Sequence, residues 1–314
     1  MNFHGIGVRR WRPAMLAAAA ALLLGCGGGT SQIESFVAQR VVAFGDELST
    51  LTADGRKYGV NRLDDEGALD CIAQPIWVQA VAALYDLVFA ECNPTAVAEP
   101  GAIMRAAAEA RVADMALQID AQVADGGFVA DTLATVLIGQ NDVLDLYAQF
   151  PDRSRDELLA EARSRGEEAG RLVNRIVGFD VRVVVSTVPD LGFSPFARAE
   201  KAAETDVDRA ELLSRLTEQF NAGLRLTVLN DGRFVGLVLA DEMIQAMNRS
   251  PSSFSIGNLT GEACTVALPD CTSETLAAGA DALTWLWADA TRIAYGGQNR
   301  LGLLAGSRAR DNPF

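Results

Sequence analysis

Histidine is almost absent from this sequence. The only histidine is His4, and the only lysines among the 314 residues are Lys57 and Lys201. Histidine is the side chain that most often acts as a general base near neutral pH. A chain with one histidine four residues from its start is therefore a poor candidate for histidine-dependent catalysis or metal binding. The formal net charge of −14 disfavours nucleic acid as a partner, because polyanion binding depends on clustered cations.

The start of the chain has the pattern of an export signal. Three arginines within residues 9–12 precede an apolar run at 15–24, which is too short to span a bilayer as a permanent helix. The run ends in Leu-Leu-Gly-Cys, which resembles a bacterial lipobox. The resemblance implies cleavage before Cys26, lipid on that cysteine and sorting to the outer membrane. The alternative is an ordinary signal peptide with a cysteine there by chance.

This pattern predicts how the chain is divided. We expect residues 1–25 to be a lipoprotein signal peptide and residues 26–32 to be the lipidated cysteine with a flexible tether. The remaining residues, 33–314, are expected to form one domain. Cleavage would remove His4 and leave a chain without histidine. The expected location is the outer membrane, with the side that the domain faces left open.

Four further cysteines favour two disulfides. An even number of cysteines in an exported protein is typical of disulfide bonding, and proximity in sequence favours Cys71–Cys92 and Cys264–Cys271. Other pairings and free thiols are the alternatives. Structural zinc is disfavoured because the spacings differ from Cys-x-x-Cys.

Apolar runs alternate with longer segments of helical composition. The runs are rich in β-branched residues and short, which predicts buried strands at 41–44, 132–138, 181–187 and 234–239. Helices are expected around them at 75–85, 102–124, 155–178 and 207–229, and a final helical stretch at 276–304 around a loop near Arg292. This alternation predicts a single three-layer αβα domain with a mostly parallel, flavodoxin-like sheet. Ligands of such sheets bind at the carboxyl ends of the strands.

The residues at these strand ends resemble the motif blocks of the GDSL esterases, the SGNH hydrolase superfamily. Residues 44–49 read Phe-Gly-Asp-Glu-Leu-Ser, against Phe-Gly-Asp-Ser-Leu-Ser in the family, and 139–142 read Gly-Gln-Asn-Asp, the family's Gly-x-Asn-Asp block. The resemblance assigns Gly45, Asp46, Gly139 and Asp142 as motif residues, and Asn141 and Gly101 as donors to the oxyanion. It implies an SGNH hydrolase-like fold and an ester hydrolase by descent, with no cofactor and no metal.

Two reactive positions depart from the family pattern. The family's nucleophilic serine falls on Glu47, and its basic histidine, three residues after Asp289, falls on Arg292. A hydroxyl nucleophile needs a neighbouring base with a pKa near neutrality, and arginine stays protonated in proteins. Ser49 and Thr50 are poor substitutes because they lie further along the chain, away from the strand end.

The two replacements are complementary in charge. We expect an ion network of Glu47, Arg292 and Asp289 in place of the catalytic triad, with the Glu47 carboxylate accepting hydrogen bonds from Asn141 and from the amide of Gly101. The alternative is an opened cleft in which Glu47 and Arg292 both point to solvent.

Three functions remain open. The favoured one is an anchored, catalytically inactive lipoprotein that acts in binding an unknown envelope ligand or in envelope structure. The second is a hydrolase of acyl or glycan substrates that uses Glu47 and Asp289 as a carboxylate pair. The third is a calcium site built from Asp46, Glu47, Asp142 and Asp289, although their spacing matches no regular calcium loop.

Overall fold

Five parallel strands form the central sheet. The structure, a computed structural model, describes residues 1–2 and 36–311. The central strands are β1 (Arg40–Gly45), β2 (Ala102–Met104), β3 (Thr132–Leu137), β4 (Arg182–Ser186) and β5 (Val235–Val238). Their order across the sheet is β2-β1-β3-β4-β5, which is the flavodoxin-like order. Two short strands, β6 (Asn258–Glu262) and β7 (Trp285–Trp287), pair in a separate small sheet.

Helices cover both faces of the central sheet. They are α1 (Trp77–Ala83), α2 (Val112–Ala124), α3 (Gln140–Tyr147), α4 (Arg155–Val177), α5 (Pro195–Ala203), α6 (Arg209–Thr227), α7 (Ala240–Arg249) and α8 (Tyr295–Asp311). Successive strand residues point to opposite faces. Val42 and Phe44 of β1 therefore pack with α2, α3, α4 and α6, whereas Val41 and Ala43 pack with α1, α7 and α8.

The predicted three-layer αβα class with a parallel sheet is confirmed. The four strands predicted from β-branched runs are present, and no bound differs from its predicted position by more than one residue. The prediction of one helix over 102–124 is wrong, because Ala102–Met104 is the edge strand β2 and α2 begins at Val112. The predicted helix at 276–304 is also wrong in its first half, which contains β7 and the turn before α8.

Residues Phe36–Phe314 form one compact unit. Both sheet-facing cores lie within it, and so do the predicted disulfides Cys71–Cys92 and Cys264–Cys271, which are both present. The signal peptide, Cys26 and the tether lie outside the described residues, so these assignments stay predictions. In the described part of the chain, no helix is both long and apolar enough to cross a membrane.

Candidate functional site

Two glycines shape the turns at the carboxyl ends of β1 and β3. Gly45 has φ +132°, and a Cβ on it would lie 1.9 Å from the carbonyl oxygen of Leu137. Gly139 has φ +122°, and a Cβ there would lie 2.2 Å from the ring of Phe220. Only glycine fits both the backbone conformation and the close contact. These turns direct the chain toward Glu47 after β1 and into α3 after β3.

Glu47 is a buried carboxylate held by three hydrogen bonds and an ion pair. Its side chain is 0% exposed. Oε1 accepts from Nε of Arg292 at 3.1 Å and lies 3.0 Å from Nη2 of the same guanidinium. Oε2 accepts from Nδ2 of Asn141 at 2.9 Å and from the backbone N–H of Glu109 at 3.0 Å. Both oxygens are therefore hydrogen-bonded, and the charge is paired with Arg292, as a buried carboxylate requires.

Arg292 reaches Glu47 from the loop between β7 and α8. Oδ1 of Asp289 accepts from the backbone N–H groups of Thr291 and Arg292, at 2.9 and 2.7 Å, and Oδ2 accepts from Nη1 of Arg292 at 2.6 Å. Burial alone would lower the pKa of Arg292, but the charges of Asp289 and Glu47 raise it above its usual value. The guanidinium at the position of the family histidine therefore stays protonated.

The structure thus brings Glu47, Arg292 and Asp289 together in one ion cluster. The alternative of an opened cleft is wrong for Glu47, which is 1% exposed overall. Glu47 and Asp289 do not form a free carboxylate pair, because Arg292 contacts both of them. The ring of Tyr58 flanks the guanidinium, with its centroid 6.0 Å from the Arg292 Cζ.

The expectation that the Gly101 amide binds Glu47 is wrong. Gly101 immediately precedes β2, where its carbonyl accepts from the N–H of Val41, so it lies at the amino end of its strand. The backbone donor to Glu47 is Glu109, in the loop at the other end of β2. Glu109 has φ +61°, in the region that favours glycine. No glycine marked this loop, and a backbone donor needs no particular side chain, so the sequence carried no signal for it.

The two aspartates of the motif blocks have separate structural contacts. Asp46 is 0% exposed, and its Oδ1 accepts from the N–H of Leu48 at 3.1 Å, while Oδ2 has no hydrogen-bond partner in the described part of the chain. Burial, and then the charge of Glu47, raises the pKa of Asp46 well above its usual value. Asp142 accepts from the N–H of Val112 at 2.9 Å, where it holds the first turn of α2.

The nearby hydroxyl groups are engaged elsewhere. Oγ of Ser49 accepts from the indole N–H of Trp77 at 3.1 Å. Oγ1 of Thr50 donates to the carbonyl of Asp46 at 2.8 Å. Within residues 1–2 and 36–311, no group of three or more carboxylate, thiol or imidazole side chains is arranged to hold a metal ion.

Comparisons with known proteins were made for the sequence and for the fold. No family model matches the sequence. No curated protein matches it either. One similar solved structure is that of a member of the lipolytic protein G-D-S-L family from Veillonella parvula DSM 2008. Its sequence is 11% identical to this one, the match covers 87% of this chain and 96% of that chain, and the TM-score is 0.41. Another is the acetyl xylan esterase AlAXEase, 11% identical, covering 85% of this chain and 98% of its own, with a TM-score of 0.43.

The chain has a three-layer α/β fold around a parallel sheet. Its sheet has the doubly wound order, and the blocks at 44–49 and 139–142 follow β1 and β3, at the edge of the sheet where ligands of such folds bind. The contacts of this chain's own residues determine the chemistry of the site.

Proposed function

We propose that this protein is a lipid-anchored protein of the outer membrane with an SGNH hydrolase-like fold, which does not hydrolyse esters by a serine, histidine and aspartate mechanism and acts in binding or in envelope structure. The observation that carries this proposal is the buried Glu47 carboxylate, which stands at the position that the resemblance gives to the nucleophile, accepts three hydrogen bonds and is paired with Arg292.

The cluster has no group that can remove a proton from a hydroxyl. Arg292 stands where the base would be, and its pKa is raised by Asp289 and Glu47. No histidine follows His4 in the sequence. The hydroxyl of Ser49 accepts from the indole N–H of Trp77, and among the residues that the structure describes no basic side chain is hydrogen-bonded to it. Hydrolysis through an activated serine therefore lacks both of its reactive groups.

The hydrogen-bond donors beside Glu47 are already engaged, among them Asn141, which the family resemblance assigns to the oxyanion. Asn141 and the Glu109 amide both donate to Oε2 of Glu47, so the protein's own anion occupies the position that a substrate oxyanion would take. A substrate carbonyl would have to displace a buried carboxylate that is also paired with Arg292. This arrangement favours a structural role for the ion cluster over a catalytic one.

The test is ester hydrolysis by the chain from residue 33 to its end, which contains the whole compact unit. Short-chain p-nitrophenyl esters are the substrates, and the matched variant is Glu47→Ser combined with Arg292→His. We expect the unmodified chain to hydrolyse no faster than the buffer, and any gain to require both substitutions. Turnover by the unmodified chain at the rate of an active esterase would overturn the proposal.

The anchoring has its own test. Expression of the full chain in a bacterium fed with labelled palmitate should label the chain and place it in the outer-membrane fraction. Cys26→Ser should abolish both the label and the membrane association, whereas Cys71→Ser should leave the label in place. Labelling that persists in Cys26→Ser would contradict the predicted anchor.

A further inference from the structure

A cavity of about 720 Å³ lies beside the ion cluster. Helix α3 contributes to both sites, because Asn141 contacts Glu47 while Leu144 and Tyr147, further along the helix, line the cavity. The loop that carries Arg292 also borders both, since its neighbour Thr291 lines the cavity. The N–H of Phe196 donates to Ala290 of this loop at 2.9 Å, which ties the loop to α5.

The lining of this cavity is mainly apolar and aromatic. It includes Leu144, Tyr147, Phe150, Pro151 and Phe196. The Tyr147 and Phe196 rings meet edge to face, with centroids 5.6 Å apart. Tyr147 is 5% exposed, so the wall is held by packing. The volume lies within the range of small-molecule sites. Such a lining favours a ligand with an apolar body.

The charged groups at the cavity are mostly negative. Three carboxylates line it, on Glu200, Glu204 and Asp206, against the single guanidinium of Arg209. Arg209 is 6% exposed, lies 4.6 Å above the ring centroid of Phe150, and binds both oxygens of Asp206 at 3.0 and 2.8 Å. Its charge is thereby compensated, which leaves the carboxylates of Glu200 and Glu204 without a full cationic partner.

Glu200 is held in place at the cavity wall. The buried hydroxyl of Tyr147 donates to its Oε2 at 2.7 Å, and no partner of Oε1 is found among the described residues. Glu204 lies 4.0 Å from the guanidinium of Arg209, at the outer limit of an ion pair. A cation in the cavity would therefore contact the Glu200 carboxylate, which Tyr147 holds in place, and the less tightly held Glu204 carboxylate, next to aromatic rings.

We propose that this cavity binds a small organic cation with an apolar body, its charge against Glu200 and Glu204 and its body against Leu144 and the aromatic rings. The inference rests on the proposed binding function and gives that function a ligand class. An anion is disfavoured because three carboxylates surround the site. A neutral ligand of the same shape would gain no electrostatic attraction from these carboxylates.

The test uses three probes of one shape and different charge: 4-phenylbutylammonium, 4-phenylbutanol and 4-phenylbutyrate. Each is titrated into the chain from residue 33 to its end at low ionic strength, and binding is followed by saturation-transfer NMR and calorimetry. We expect the ammonium probe to bind about tenfold more tightly than the alcohol, a difference of about 1.4 kcal/mol, and the carboxylate probe not to bind.

Three variants locate the binding. Glu200→Gln keeps an acceptor for Tyr147 while removing the charge, and should weaken the ammonium probe about tenfold. Ala148→Trp, at an exposed position that lines the cavity, should abolish binding without unfolding the protein. Glu218→Gln removes an equal charge from an exposed ion pair on α6 and should change nothing.

Absence of ammonium binding would overturn the inference. So would equal binding of the three probes, or binding that is unchanged in both cavity variants. These outcomes leave the hydrolysis result untouched. Conversely, ester turnover by the unmodified chain would refute the inactive site without altering the titration, so the two proposals fail separately.

Discussion

Removal of Arg292 should destabilise the protein strongly, and a second substitution at Glu47 should restore part of the loss. Arg292→Leu removes the Nε hydrogen bond and the Nη2 ion pair from Oε1 of Glu47. The Glu47 carboxylate, whose side chain is fully buried, then has no counter-charge. Breaking a buried ion pair from one side costs about 3–5 kcal/mol. That is a large part of a typical unfolding free energy of about 5–15 kcal/mol.

The double variant Glu47→Gln with Arg292→Leu removes the charge along with its partner. The glutamine carbonyl can still accept from Asn141 and from the Glu109 amide. Its amide group would face the space left by Arg292, which is 24% exposed in its side chain and therefore open to water. We expect the double variant to be more stable than Arg292→Leu alone by about 2 kcal/mol, a non-additivity typical of residues in direct contact.

The assay is urea unfolding followed by circular dichroism. Arg233→Leu is the matched control, because Arg233 also binds a carboxylate through two nitrogens but is 73% exposed, so its loss should not change the unfolding midpoint beyond error. The reasoning would be refuted if Arg292→Leu were no less stable than the control, or if the double variant were no more stable than Arg292→Leu.

Two further predictions concern buried charged groups. Burial and the charge of Glu47 raise the pKa of Asp46 in the folded state above its unfolded value near 3.8. The protonated Asp46 therefore contributes stability that is fully present below the unfolded pKa, and this contribution is lost as the pH rises through the folded pKa. Asp46→Asn should therefore gain stability relative to the unmodified protein as the pH rises above 3.8, measured by urea unfolding at a series of pH values, and a difference independent of pH would contradict this. Lys57 is 1% exposed and donates to the carbonyls of Cys71, Ala73 and Gln74 at 3.2, 2.6 and 3.2 Å. Lys57→Met should cost about 2–3 kcal/mol by leaving these acceptors unpaired, whereas Lys201→Met, at the exposed lysine, should leave the midpoint unchanged; equal midpoints for the two variants would refute the role of Lys57.

The sequence predicted the parts of the fold that depend on side-chain type. Runs such as 181–187 are buried strands because β-branched residues pack well in a covered parallel sheet. The edge strand Ala102–Met104 was missed because three residues without a β-branched run carry no such pattern. The contact between Glu47 and Arg292 was predictable because the family resemblance places them at the nucleophile and base positions and they carry opposite charges.

The remaining features depend on backbone geometry and on distant segments. Glu109 binds Glu47 through its main-chain N–H, so its side chain could not identify it. The family resemblance assigned this role to Gly101, which lies at the other end of β2. The cavity is lined by residues from α3, α5 and the loop of Thr291, which are far apart in the sequence and meet only in the folded chain.

The central claim is that no serine in this protein is an activated nucleophile. Intact-mass spectrometry after treatment with a fluorophosphonate tests it most directly, because an activated serine hydroxyl displaces fluoride and keeps the phosphonyl group. With an active serine esterase as the positive control, we expect the mass of this protein to stay unchanged. A single phosphonyl adduct on Ser49, or on any other serine, formed at the rate of the control enzyme, would contradict the account.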